Sequence, residues 1–178
     1  MKLEEVRKTS KTIYDGKIIK LEVDTAILPD ETEAIREVVR HPGGVGVVAV
    51  DENHCVYLVR QFRYPYSKVT LEIPAGKLDA GEEPETAGRR ELLEETGFTA
   101  NYVEKLGSFY ASPGFCDETY HVYLATGLTK GKAQPDEDEF VECARYPLCE
   151  LLTMIDKGEI KDAKTVIGIL MAKEKLQK

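Results

Sequence analysis

The sequence predicts a mixed α/β fold, a sheet with helices on both faces and a β-hairpin extension at the N-terminus. Three observations lead there. Short apolar or alternating runs separated by turn residues recur along the chain, one strongly acidic helix interrupts them, and two amphipathic helices close the chain. With 178 residues and 42% hydrophobic content, the chain can bury one good core.

The elements follow in order. Lys17 to Ile27 alternates and ends at the turn signal Pro29-Asp30-Glu31-Thr32, after which Ala34 to Arg40 reads as a partner strand. This pair is the hairpin extension. Beyond His41-Pro42-Gly43-Gly44, the runs Val45 to Val50 and Cys55 to Gln61 flank Asp51-Glu52-Asn53 as a second hairpin. Thr70 to Ile73 leads into the acidic helix, and Tyr102 to Tyr110, Glu118 to Ala125 and Glu139 to Tyr146 read as later strands. Pro147 can open a helix with Leu148, Leu151, Leu152 and Ile155 on one face. Ala163, Val166, Ile167 and Leu170 repeat that spacing, and both stripes read as core packing. An extension over residues 1–42 and one main domain over 43–178 are expected.

The acidic helix is the most informative segment. Pro84 suits a first helical position and Gly97 a left-handed C-terminal cap, which predicts a helix over about 84–96. Glu82 and Glu83 precede it, where the helix dipole favours negative charge. Glu91, Glu94 and Glu95 fall at i, i+3 and i+4, so their side chains leave one face. Three like charges there cost a few tenths of a kcal/mol per pair (order of magnitude) unless a cation lies against them. A hard divalent cation is the natural neutraliser. Gly88 inside the helix costs roughly 1 kcal/mol relative to alanine, which a close contact with a neighbouring backbone would explain. A solvated charged face is the plain alternative for glutamates taken alone.

The surrounding residues reverse that reading. Gly76, Glu82, Arg90, Glu91, Leu92, Glu94, Glu95, Gly97 and Phe98 satisfy the pattern G-x5-E-x7-R-E-U-x-E-E-x-G-U, where U is bulky and apolar, without insertion. On these residues the chain resembles the Nudix family, whose fold is an α/β/α sandwich with a mixed sheet. The resemblance implies a pyrophosphohydrolase using Mg2+, with Mn2+ able to substitute. Glu91 and Glu95 look like metal ligands, joined by the backbone carbonyl of Ala75, and Glu94 resembles a further ligand. Arg90 stands one turn before Glu94 and is expected to hold a ligand carboxylate in place. Gly76 is expected to aim the Ala75 carbonyl through a tight loop.

Outside that box, DGKIIKLEVDTAILPD, IREVVRHPGG, VRQFRYP, LEIPAGK and SPGFCDE resemble the ADP-ribose pyrophosphatase branch of the family. Pro113, fifteen residues beyond Phe98, is the sharpest marker. The resemblance implies a nucleoside diphosphate sugar substrate, ADP-ribose, cut to AMP and ribose 5-phosphate. Arg36 and Arg63 look like contacts to the phosphates or the adenosine half, and Glu72 like a polar substrate contact. It also implies a homodimer in which the N-terminal hairpin is exchanged between subunits. Metal-bound acids are poor proton acceptors, so the general base must lie elsewhere. The acidic run 135–139 reads as a mobile loop, and the resemblance favours a loop glutamate, Glu137 first and Glu139 next, as catalytic base.

Other classes are disfavoured. A net charge of −8 argues against nucleic acid as a partner. No apolar stretch is long enough to cross a bilayer, and MKLEEVRKTSK lacks the apolar centre of a signal peptide, so no membrane association and a cytoplasmic location are expected. Cys55, Cys116, Cys143 and Cys149 form no CxxC pair and read as free thiols. His41, His54 and His121 have no metal-ligand partner at suitable spacing. Two alternatives remain. One is a Nudix hydrolase for another nucleoside diphosphate sugar or a dinucleotide. The other, a non-catalytic ligand-sensing Nudix domain, needs a damaged box or an added DNA-binding module, and the chain has neither.

Overall fold

A computed structural model describes residues 3–134 and 140–177. They form two compact units, one drawn from residues 3–43 with 110–119, the other from 44–109 with 120–134 and 140–177. Residues 110–119 therefore join the N-terminal unit, an association invisible to a linear division at residue 42.

In the N-terminal unit, β1 (Val6–Asp15), β2 (Lys20–Ile27) and β3 (Glu33–Arg40) form an antiparallel sheet in that order. The expected hairpin is β2–β3. The additional strand β1 is exposed along its whole length and is held by its ladder to β2, not by an apolar face. That is why alternation did not reveal it.

The larger unit holds a seven-stranded mixed sheet. Its strands are β4 (Gly44–Val50), β5 (Cys55–Arg63), β6 (Lys68–Glu72), β7 (Ala75–Lys77), β8 (Phe98–Tyr110), β9 (Thr119–Lys130) and β10 (Val141–Pro147). The path runs β10-β5-β4-β9-β8, while β6 pairs with β5 and β7 with β4. The β4–β9 pair is parallel, and β4 meets β5 and β7 antiparallel. Central β4 is buried at every residue, as its unbroken apolar sequence requires.

Alternation along β4 separates two faces. A methyl at Gly88 of α1 (Pro84–Thr96) would sit 3.2 Å from a methyl of Val45 and of Val47, so these valines face α1. A methyl at Gly168 of α3 (Ala163–Leu176) would sit 2.8 Å from Val48, which faces the other side. On the α1 face Val47, Ala49, Leu92, Phe98 and Ala125 pack together. On the α3 face Val48, Leu58, Ile73, Val122 and Ile169 form the larger core, joined by Leu151 of α2 (Leu148–Asp156). The result is an α/β/α sandwich. Gly88 is thus explained by close side chains of β4, not by a neighbouring backbone.

The helices confirm one stripe and correct another. On α2, Leu148, Leu151, Leu152 and Ile155 all join the core. On α3, however, the buried positions are Lys164, Thr165, Gly168, Ile169 and Ala172, while Ala163 and Leu170 are exposed. The expected stripe is displaced because two polar residues, Lys164 and Thr165, are drawn inward by buried partners. Among the described residues no helix is long and apolar enough to cross a membrane.

Candidate active site

The helix α1 spans Pro84–Thr96 with proline in its first turn, and Gly97 closes it at φ 76° by donating its N–H to Leu93 O at 2.8 Å. Full burial of Leu92, worth about 1.5–3 kcal/mol, turns one side of the helix onto the sheet. Glu91 and Glu95 lie one turn apart and go in with it, only 6% and 3% exposed, while Glu94 stays half-buried. Glu95 Oε2 accepts the Ala75 N–H at 2.8 Å. A Cβ on residue 76 would lie 1.8 Å from Glu91 Oε1. Gly76 is therefore required by the approach of the Glu91 carboxylate. It sits within β7, not in a tight loop.

One guanidinium stands among these acids. Arg90 donates to Glu91 Oε1 at 2.8 Å, to Glu94 Oε2 at 2.9 Å and to both oxygens of Glu82 at 3.1 Å. The expected pair with Glu94 is present, and two further acids share the same cation. These bonds hold the Glu82 carboxyl below the usual range and push Arg90 up. Three carboxylates thus share one guanidinium, and Glu95 follows Glu91 one turn further along the same helix. Such a surplus, built from oxygen donors alone, fits a hard divalent cation, and the space that Gly76 leaves beside Glu91 fits a ligand carboxylate. Among the described residues no three acidic, histidine or cysteine side chains form a complete metal shell. Water and substrate phosphates commonly complete such shells.

A second cluster lies where β5, β6 and the start of α3 meet. Arg63 donates from Nε and Nη2 to the two oxygens of Glu72 at 2.8 and 2.7 Å. Thr70 Oγ1 donates to Glu72 Oε1 at 2.6 Å, and Lys164 Nζ donates to Glu72 Oε2. Lys164 also donates to Asp162 Oδ1 at 2.9 Å. Burial alone would raise the Glu72 pKa, but Arg63, Lys164 and Thr70 outweigh it and bring it down to about 2. Glu72 is 2% exposed and its oxygens already receive four donors, so it has no capacity left for a substrate hydroxyl. Here it holds Arg63, the neighbouring candidate for contact with substrate. Arg63 is 37% exposed, and its Nη1 has no partner among the described residues.

Lys164 and Asp162 were missed in the sequence because their partners are remote. The local signal was Asp162-x-x-Thr165, a helix cap: Asp162 Oδ2 accepts the Thr165 N–H at 3.0 Å.

Two further candidates, Arg36 and Pro113, fall in the N-terminal unit. Arg36 makes a two-pronged contact with Glu5 at 2.8 and 2.9 Å in an exposed setting, where a phosphate could replace the carboxylate. Pro113 is exposed in a turn between β8 and β9. That turn is fastened to β3, with the Val39 N–H donating to Phe115 O at 2.8 Å and the Asp117 N–H to Val39 O at 3.1 Å. The four cysteines are free. His121 Nδ1 lies 3.0 Å from Ser108 Oγ. Glu137 and Glu139 lie outside the described residues. Close before them, the Gln134 N–H donates to the backbone oxygen of Glu94 at 2.9 Å.

Comparison with known proteins gives the family. Residues 40–167 match the family profile described as NUDIX domain. The chain is 46% identical over 179 residues to an ADP-ribose pyrophosphatase of Bacillus subtilis (strain 168), covering 98% of this chain and 97% of that one. It is also 46% identical over 166 residues to a methanol dehydrogenase activator of Bacillus methanolicus, covering 91% and 90%. A crystal structure of an ADP compounds hydrolase superposes with a TM-score of 0.87 at 21% identity, covering 99% of this chain and 97% of that one, a likeness of fold.

Proposed function

The chain belongs to the Nudix family and is a Nudix hydrolase, and we propose that it hydrolyses the diphosphate of ADP-ribose to AMP and ribose 5-phosphate. The observation that carries this reading is the acidic helix: Glu91 is seated over Gly76, Glu95 is bonded to Ala75, and one arginine serves three acids. The near full-length similarity to an ADP-ribose pyrophosphatase supports the substrate.

Nudix hydrolysis uses a divalent cation, here Mg2+ with Mn2+ able to substitute. Glu91, Glu95 and the Ala75 carbonyl would hold it, with Glu94 as a further ligand. When bound, the cation neutralises the diphosphate and polarises a phosphoryl oxygen. Arg90 keeps Glu91 and Glu94 at fixed positions. Arg63, fixed by Glu72, and Arg36 present guanidinium N–H groups to the phosphates or the adenosine half, and Pro113 contributes to the substrate site. A glutamate of the 135–139 run, Glu137 before Glu139, takes the proton of the attacking water. The bond from Gln134 to the Glu94 carbonyl supports that role by anchoring the segment's near end to α1. As water adds to one phosphorus, the bridging P–O bond breaks and the leaving phosphate departs. The protein acts in the cytoplasm as a homodimer that exchanges its N-terminal hairpin.

The relative named a methanol dehydrogenase activator favours a second reading, in which the same hydrolytic site serves to stimulate a dehydrogenase. One experiment addresses both. ADP-ribose, ADP-glucose, GDP-mannose, NADH and dinucleoside polyphosphates are compared at equal concentration with Mg2+, with products identified in 18O-labelled water. ADP-ribose should be preferred, and with a methanol dehydrogenase added alongside the panel, a faster dehydrogenase rate in the presence of this protein would favour the second reading. Glu95→Gln should keep its fold and lose at least about a hundredfold in rate, since even outer partners of a metal cost 10- to 100-fold. Near-normal turnover by that variant would sink the metal assignment.

A further inference from the structure

The segment Glu72-Ile73-Pro74-Ala75 is gripped from both layers of helices. On one side Ala75 donates its N–H to Glu95 of α1. On the other, Ile73 donates its N–H to Thr165 Oγ1 at 2.9 Å, and Glu72 receives Lys164 Nζ. Thr165 Oγ1 in turn donates to Asp162 Oδ2 at 2.5 Å, and Lys164 to Asp162 Oδ1 at 2.9 Å. The bonds close a ring: Glu72 to Ile73 through the backbone, Ile73 to Thr165, Thr165 to Asp162, Asp162 to Lys164, and Lys164 back to Glu72.

Stability alone is a poor reason for this ring. Lys164 is 5% exposed, and a buried ion pair is often matched or bettered in stability by apolar residues of similar volume. What an ionic ring adds is direction. Glu72 could turn about its own side-chain torsions if Arg63 and Thr70 alone held it. Lys164 fixes Oε2 from the far side, and with it the plane of the Arg63 guanidinium, whose Nη1 then faces away from Glu72.

Resting on the reading that Arg63 contacts the substrate, we propose that Lys164 is a positioning residue for Arg63, acting through Glu72 and anchored by Asp162 at the start of α3. Its contribution lies in orienting a guanidinium toward a phosphate-bearing ligand. It touches no reacting atom.

Steady-state hydrolysis of ADP-ribose by the full chain with Mg2+ tests this as a double-mutant cycle. Lys164→Met should raise KM about tenfold while kcat stays within about threefold, and Lys164→Arg should recover most of the loss. In an Arg63→Ala background, Lys164→Met should change KM by less than about twofold, because nothing is left to orient. An unchanged KM, a loss confined to kcat, or an equal rise in both backgrounds overturns the proposal. Should circular dichroism show Lys164→Met unfolded, Asp162→Asn replaces it. That variant keeps an oxygen for the helix cap but loses the ionic hold, and the same rise must appear with Arg63 and vanish without it. Failure of the substrate reading shows separately, as wild-type protein that does not cleave ADP-ribose. The cycle is then run on whichever substrate of the panel it does cleave.

Discussion

Two charged clusters flank the segment from Glu72 to Ala75, and they are balanced differently. Around α1, Glu82, Glu91 and Glu94 share one guanidinium, and Glu95 adds a fourth carboxylate. At the start of α3, two cations, Arg63 and Lys164, meet two acids, Glu72 and Asp162. The matched cluster is complete within the protein. In the unmatched one the carboxylates outnumber the guanidinium they share, a surplus that a bound divalent cation would offset. On the function proposed above, the imbalance belongs to the reacting centre and the balance to its support.

The sharpest way to break this contrast is Gly76→Ala. The new methyl would meet Glu91 Oε1 at 1.8 Å, and the movable partner is the end of a flexible side chain. The fold should survive while Glu91 swings away, with a loss of about a hundredfold or more in kcat/KM and weaker Mg2+ dependence in titrations. An active Gly76→Ala enzyme would show that the position of Glu91 is not critical.

Glu72→Gln probes the matched cluster through stability. Removing the charge leaves the buried Lys164 with Asp162 alone and takes from the part-exposed Arg63 its partner, which should cost about 2–3 kcal/mol, or a Tm drop of about 5–10 °C. The Glu72 pKa is lowered from 4.5 to about 2 in the folded protein, so its contribution is fully present above about 4.5 and is lost as pH falls toward 2. Wild-type Tm should therefore fall more steeply than that of Glu72→Gln across that window. Parallel Tm curves against pH would show that the network does not hold Glu72 ionised.

The same contrast explains what could be read from the sequence. The α1 cluster is local. Its acids recur at helical spacing, Pro84 and Gly97 bracket the helix, and Arg90 reaches Glu94 within one turn. The sandwich was legible as well, because apolar runs such as Val45–Val50 and the leucines of α2 report their own burial. The α3 cluster joins residues 92 positions apart, and no local pattern marks Lys164 as buried. A lysine at that position reads as solvated, and the buried stripe lies two residues beyond the expected one. Strand β1 was hidden for the converse reason, since a strand exposed on both sides carries no alternation. Gly76 was recognised, but its reason, a carboxylate arriving from another element, is visible only in three dimensions.

The smallest expected effect comes from the neighbour of Arg90 on the same helix. Arg89 makes as regular a set of bonds, two to Glu85 Oε1 at 2.9 and 3.0 Å and one to the Ala100 carbonyl at 2.9 Å. Its partner acid is half exposed and belongs to no surplus. Water screens such a pair, and its formation must offset the freedom lost by two long side chains. Arg89→Ala should shift Tm by about 2 °C or less and leave kcat/KM within about twofold. The number of hydrogen bonds an arginine makes would then be a poor guide to its importance, and the charge left over around it the better one. A tenfold activity loss in Arg89→Ala would extend the reacting centre around the helix to Glu85, and the division between a matched and an unmatched cluster would fail.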